Sequence, residues 1–110
     1  MNENIKDTNV FKLKDLVNYE EGQLNKFFVE RNDHIRFALM AYDKGVELSK
    51  HAACGDAIVF ALEGKATISY QGNDYEINEG ENFHFKKGIE HSIKAITNFK
   101  MALVVVVEDD

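Results

Sequence analysis

Apolar and polar residues alternate along most of this chain with the period of two that is typical of β-strands. Residues 34–42 divide into one face with Ile35, Phe37, Leu39 and Ala41 and another with Arg36, Ala38, Met40 and Tyr42. Segments of this kind recur about every 8 to 12 residues, separated by Gly, Asn and Asp, which favour turns. We predict roughly nine short strands, two of them within 45–64 and the others at 23–31, 34–42, 65–70, 75–78, 81–85, 90–97 and 99–108. The pattern predicts an all-β barrel or sandwich.

The N-terminal residues do not follow the strand pattern. Residues 1–8 are polar and are expected to be loose, and residues 15–22 predict a short helical turn or an irregular connection that ends at Gly22. At 110 residues the chain is long enough to bury a core without disulfides. We therefore predict a single domain over residues 1–110.

The last predicted strand is apolar on both faces. A strand of this kind must be covered on both sides, whereas a single small barrel has its core on one side only. The central segment repeats the pattern, with Ile58, Phe60 and Leu62 opposite Val59 and Ala61. We therefore predict that a second copy of the chain covers the outer face, giving a homodimer.

The charge balance excludes several classes of partner. Nineteen acidic residues against thirteen basic ones give a net charge of −6, the wrong sign for nucleic acid or an anionic membrane. Cys54 is the only cysteine, so no intrachain disulfide is expected. The first residues lack the apolar run of a signal peptide, and the longest apolar run, 101–107, is too short to span a bilayer. A cytoplasmic protein is expected.

Glycines and histidines recur at fixed spacings between residues 45 and 95. The first series falls on Gly45, His51, Ala53, Ala57 and Gly64, and the second on Gly80, Lys86, Gly88, His91 and Ala95. These spacings resemble the two motifs of the cupin family, G-x5-H-x-H-x3-4-E-x6-G and G-x5-P-x-G-x2-H-x3-N. Only residues 65–79 separate the two series, as in compact single-domain cupins. The resemblance implies a cupin-type double-stranded β-helix, or jelly-roll barrel, with the functional site in its interior.

The resemblance also implies that four motif positions converge on one metal ion. His51 and His91 occupy two of these positions, whereas Ala53 and Ala57 replace the second histidine and the glutamate. Asp56 is one residue out of register and is expected to point to the other face. We therefore predict at most one divalent ion, zinc, nickel, iron or manganese, held by His51 and His91 with half of its usual ligands missing.

Three further side chains are candidates to complete such a site. His84 lies between Phe83 and Phe85, and the sequence alone does not show whether it faces the barrel interior. Cys54 and Tyr75 are the other candidates, although a lone cysteine is more often a small buried apolar residue than a ligand. His34, next to Asp33 in a predicted turn, is expected to be solvated.

The two alanines make the interior wider and more apolar than in the family pattern, which favours a small organic ligand. We predict that such a ligand, with a carboxylate, hydroxyl or keto group, contacts His51, Ala53, Ala57, His84 and His91. Two other functions stay open. One is a metal-dependent isomerase or dioxygenase with its ligands completed by His84, Cys54 or water; the other is a ligand-sensing or structural dimer without turnover.

Overall fold

The computed structural model describes residues 1–108, which form nine β-strands and one turn of 3-10 helix, Leu13–Leu16. The strands are β1 (Leu24–Arg31), β2 (Ile35–Tyr42), β3 (Glu47–Ala52), β4 (Gly55–Glu63), β5 (Lys65–Tyr70), β6 (Asn73–Asn78), β7 (Asn82–Phe85), β8 (Glu90–Ala95) and β9 (Phe99–Val107). The predicted all-β fold with a short N-terminal helical turn is confirmed. No helix in this range is long and apolar enough to cross a membrane. Residues 109 and 110 of the predicted domain lie outside the described range.

The strands form two antiparallel sheets that face each other. The five-stranded sheet has the order β1-β2-β9-β4-β7, and the four-stranded sheet has the order β3-β8-β5-β6. Side chains from the inner faces of both sheets meet in the main core, whose largest members are Tyr42, Phe85, Phe99, Ile68, Ile93 and Met101. This is the jelly-roll arrangement, because β3 and β4 are consecutive in the chain but belong to different sheets.

The N-terminal segment covers the outer face of the five-stranded sheet on the side of β1 and β2. Val17 is buried there in a second core that also contains Val29, Leu39, Ala41 and Ala102. The backbone N–H of Asn2 donates to the Val29 carbonyl at 2.8 Å, and Lys100 Nζ donates to the Lys14 carbonyl at 2.7 Å. Residues 1–8, expected to be loose, are thus anchored to β1, and the chain itself supplies part of the cover that we had expected from a partner.

The rest of this outer face is an exposed apolar surface. It consists of Ile58, Phe60, Val104 and Val106, which we call the outer patch; Ile58 is 43% exposed and Val106 is 56% exposed. The opposite face of β9 lies inside the barrel, where Met101 and Val105 are buried. Strand β9 is therefore apolar on both faces, as predicted, and the outer patch is the part that the N-terminal segment leaves uncovered.

Candidate functional site

A cavity of about 240 Å³ lies between the two sheets and receives side chains from both. Its apolar lining consists of Phe28, Ala38, Met40, Ala52, Ala53, Ala57, Leu103 and Val105. Its polar and ionisable lining consists of Lys26, Arg31, Arg36, His51, Cys54 and His91. The sequence singled out His51, Ala53, Ala57 and His91 as site residues, and all four line this one cavity.

The two histidines are brought together by pairing of β3 with β8. His51 and His91 are direct cross-strand partners in this antiparallel pair, so their side chains lie on the same face. Their ring centroids are 5.7 Å apart, and the rings meet edge to face at 84°. A register shift between Leu48 and His51 sets this alignment. Strand pairing thus places both imidazoles at one point of the cavity wall.

His91 is held more firmly than its neighbour. Its ring is buried and stacks on Phe85, with ring centroids 3.8 Å apart and planes 9° from parallel. Burial lowers the pKa of His91 below its usual value. The hydrogen bond to the Ile89 carbonyl opposes this effect in part, and the nearby His51 adds a smaller lowering effect. His91 Nδ1 lies 3.3 Å from that carbonyl oxygen. When Nδ1–H donates to this carbonyl, Nε2 is left as a hydrogen-bond acceptor.

The remaining two cupin ligand positions carry methyl groups. Ala53 and Ala57 are buried and line the cavity, so no donor atom stands where the motif has histidine and glutamate. Residues 1–108 contain no cluster of three or more His, Cys, Asp or Glu side chains that could hold a metal ion. The donor set of His51 and His91 therefore does not fit the four-ligand metal site that the motif describes.

His84 lies outside the cavity, on the outer face of the five-stranded sheet. Strand β7 turns Phe83 and Phe85 inward, so the residue between them points outward and is exposed. His84 Nε2 is 4.0 Å from Asp56 Oδ2, and Asp56 is also on the outer face, as its register predicts. The prediction that His84 contacts a ligand together with His51 is thus corrected, because a full sheet separates His84 from the interior.

The other candidates for completing a metal site have different positions. Cys54 is half-buried and lines the cavity. Tyr75 is 43% exposed and packs against Phe83, with ring centroids 5.2 Å apart, away from the cavity lining. His34 is exposed beside the β1–β2 turn. Of the three proposed replacements, His84, Cys54 and Tyr75, only Cys54 lines the cavity.

The three basic side chains of the cavity lining, Lys26, Arg31 and Arg36, were not predicted from the sequence. Arg36 had a usable signal, because it shares a strand face with Ala38 and Met40, which also line the cavity. Recognising it required knowing which face of that strand is the inner one. Arg31 had no such signal, because its orientation depends on an irregularity in β1.

Similarity to known proteins agrees with this geometry. Residues 38–107 match the family model described as the cupin domain, which is more than half of the chain. A conserved protein of unknown function from Streptococcus pyogenes has 31% identity and a TM-score of 0.91, covering 97% of this chain and 94% of that one. A cupin 2 conserved barrel domain protein from Leptotrichia buccalis has 30% identity and a TM-score of 0.84, covering 87% of this chain and 47% of that one.

A cupin superfamily protein from Desulfitobacterium hafniense has a TM-score of 0.92 over 96% of this chain and 97% of its own, at 19% identity. At that identity the likeness establishes the fold alone. None of the curated proteins matches the chain. The family model, the two relatives at 30% identity or above and the jelly-roll topology lead to one conclusion: this chain belongs to the cupin family.

Proposed function

We propose that this cupin binds a small organic molecule in the cavity beside His51 and His91. The observation that carries the proposal is the pair of alanines, Ala53 and Ala57, at positions where the cupin motif has metal ligands. Their methyl groups leave space and an apolar wall where a metal ion and its donors would otherwise lie. The cavity has a volume of about 240 Å³. A dry cavity of about 150 Å³ already admits benzene, so this one has room for a substituted ring.

The lining supports one orientation of the ligand. The apolar body would lie against Ala53, Ala57 and Met40, and a polar group would meet the two histidines. Nε2 of a neutral His91 accepts a hydrogen bond, so a ligand hydroxyl is a suitable partner there. In this proposal the histidines set the orientation of the ligand, whereas the alanines and Met40 supply most of the apolar surface that it contacts.

Filling the cavity is the test of this proposal. The Ala57→Leu variant places three extra carbons in the cavity, and we expect it to weaken binding of every ligand at least tenfold, since each buried CH₂ of contact is worth about 0.8 kcal/mol. Binding of small aromatic acids, alcohols and ketones is measured by NMR shift changes of cavity residues. The Thr67→Leu variant adds a similar side chain away from the cavity and should bind as the wild type does. Equal loss of binding in both variants would contradict the proposal.

A second copy of the chain is the occupant that we propose for the outer patch. The N-terminal segment already covers the adjoining part of that sheet face. The outer patch itself is uncharged, and Asp56 and His84, 4.0 Å apart, are the ionisable residues beside it within the described part of the chain. Because each copy carries a net charge of −6, two copies repel each other least when they meet through an uncharged face. An isologous contact between two outer patches would bury the exposed side chains of Ile58 and Val106.

Light scattering at micromolar concentration measures this association. We expect a dimer for the wild type and a folded monomer for Val106→Lys, because a lysine at the centre of an apolar contact must lose its hydration. Val10→Lys changes a fully exposed valine outside the patch and should stay dimeric. A monomeric wild type, or a dimer that survives Val106→Lys, would exclude this interface.

A further inference from the structure

Positive charge is concentrated at the cavity in a chain that is acidic overall. The only two arginines of the sequence, Arg31 and Arg36, both line the cavity together with Lys26. The described lining contains no aspartate or glutamate, although acidic residues outnumber basic ones by nineteen to thirteen in the whole chain. The ion pairs within residues 1–108 involve Glu30, Glu63 and Asp56, and none of them includes a cation of the cavity. The charge at the cavity is therefore not balanced by a described carboxylate of the protein.

A bulge in β1 creates this charge distribution. Lys26 and Phe28 face the cavity, and strict alternation would bring Glu30 to the same face. The register with β2 shifts between Phe28 and Glu30, so that Glu30 is opposite Phe37 and Arg31 is opposite Arg36. Glu30 consequently turns outward, where it pairs with the N-terminal amino group of Met1. One inserted residue thus replaces a carboxylate by a guanidinium at the cavity wall.

The two arginines are exposed at the edge of the cavity and form a like-charge pair when nothing lies between them. Arg31 and Arg36 are direct cross-strand partners on one face, and like charges in that position destabilise a sheet. The guanidinium of Arg31 lies over the Phe28 ring, 5.2 Å from its centroid, a contact that holds it at the cavity. Two guanidinium groups side by side match the oxygens of a carboxylate or phosphate. An anion between them would convert repulsion into attraction.

The arginines and the histidines lie on one level of the barrel. Arg36 pairs with Val105, Val105 with Ala57, and Ala57 with Phe85, forming a row across four adjacent strands. His91 from the other sheet stacks on the last residue of the row, Phe85. The row from Arg36 to Phe85 therefore crosses three gaps between neighbouring strands, each about 4.8 Å wide. The arginine side chain extends over part of this length, and a molecule of the size of one ring would fill the remainder.

From this arrangement we infer that the ligand of the cavity is a small organic anion. Its carboxylate or phosphate group lies between Arg31 and Arg36, its apolar body lies against Ala57 and Val105, and its far end reaches the histidine pair. The inference rests on the proposed binding function of the cavity and adds the chemical class of the ligand. Lys26, on the same wall, adds a third positive charge near the anionic group.

Three probes of similar shape test the charge requirement: benzoate, phenyl phosphate and the neutral benzamide. Dissociation constants are measured by NMR titration at low ionic strength for the wild type and for the Arg31→Gln, Arg36→Gln double variant. We expect at least one anion to bind the wild type at least tenfold more tightly than benzamide does. The reason is that a hydrogen bond to a charged group contributes more binding free energy than a neutral one, and two guanidinium groups can each donate such bonds. In the double variant this preference should fall below about twofold, with benzamide affinity unchanged. Which anion binds better distinguishes a carboxylate from a phosphate ligand.

The controls separate this inference from the proposed function. Lys12→Gln, Lys94→Gln removes two exposed charges outside the cavity and should keep the anion preference. The arginine double variant should stay folded, because loss of the Arg31–Phe28 contact is offset by removal of a like-charge pair. Benzamide binding as tightly as the anions, or a preference that survives the double variant, would overturn the anion inference alone. If none of the probes shifts cavity resonances at tens of millimolar, the proposed function and the inference both fail.

Discussion

Substituting histidine for Ala53 and glutamate for Ala57 is expected to give this protein a divalent-metal site with the full donor set of the cupin motif. Both positions line the cavity that contains His51 and His91, so the two new side chains would complete a donor set of three imidazoles and one carboxylate. The carboxylate also offsets the charge of the ion. Since loss of an outer-shell partner alone lowers metal affinity by about 10- to 100-fold, gain of two direct ligands should raise it by at least about 100-fold.

Isothermal titration with zinc and manganese, and metal analysis of protein made without a histidine tag, measure this change. The Val10→His, Lys94→Glu variant is a matched control, because it adds the same two donors at exposed positions outside the cavity. It should bind metal no better than the wild type does. Near-stoichiometric metal in the wild type that is lost in His51→Ala, His91→Ala would contradict the expectation and would support a metal-dependent enzyme.

The Gly64→Ala substitution is expected to lower the free energy of unfolding by about 3 to 5 kcal/mol, in the range of severe single mutations. Gly64 has a φ of +76°, which L-residues with a side chain rarely adopt. In addition, a Cβ at this position would lie 1.9 Å from the backbone oxygen of Asn98, so the β4–β5 connection and the turn before β9 would have to separate. Two penalties, one conformational and one steric, act at the same residue.

Gly45→Ala is the matched control for this prediction. Gly45 has a similar φ of +84°, but no heavy atom lies within 4 Å of a Cβ built there. Only the conformational penalty applies at this position. We therefore expect the free energy of unfolding to fall by about 1 to 2 kcal/mol. Urea denaturation followed by circular dichroism measures both variants. A similar decrease in the free energy of unfolding for both variants would contradict the prediction, because it would mean that the backbone near Asn98 can move away from the new Cβ without destabilising the protein.

These two glycines also explain why the fold was predictable. Both belong to the spacing that resembles the cupin motif, and both have positive φ values in the structure, at the turns before β3 and β5. Turn positions and the strand period of two are local properties of the chain, so they are visible in the sequence. The strand at 65–70 was predicted with the bounds that the structure has. The pairing of His51 with His91 across β3 and β8 also followed from motif spacing.

The inward or outward direction of individual side chains was less predictable. The alternation in β7 shows that His84 and Phe85 point in opposite directions, but only the packed sheets show that Phe85 is the inner residue. The same limit concealed Arg36, whose strand face could be identified as the cavity wall only after the two sheets were placed together. A period of two defines two faces without saying which of them is buried.

By itself, then, the sequence determined the all-β class, the cupin spacing, the histidine pair and the two alanines that remove the metal ligands. Tertiary structure alone decided that His84 is outside, that the N-terminal segment covers the β1–β2 side of one sheet, and that basic side chains line the cavity. The last point depends on one unpaired position in β1, which exchanges Glu30 for Arg31 at the cavity. A bulge is set by pairing with the neighbouring strand, an interaction between distant residues that no local pattern records.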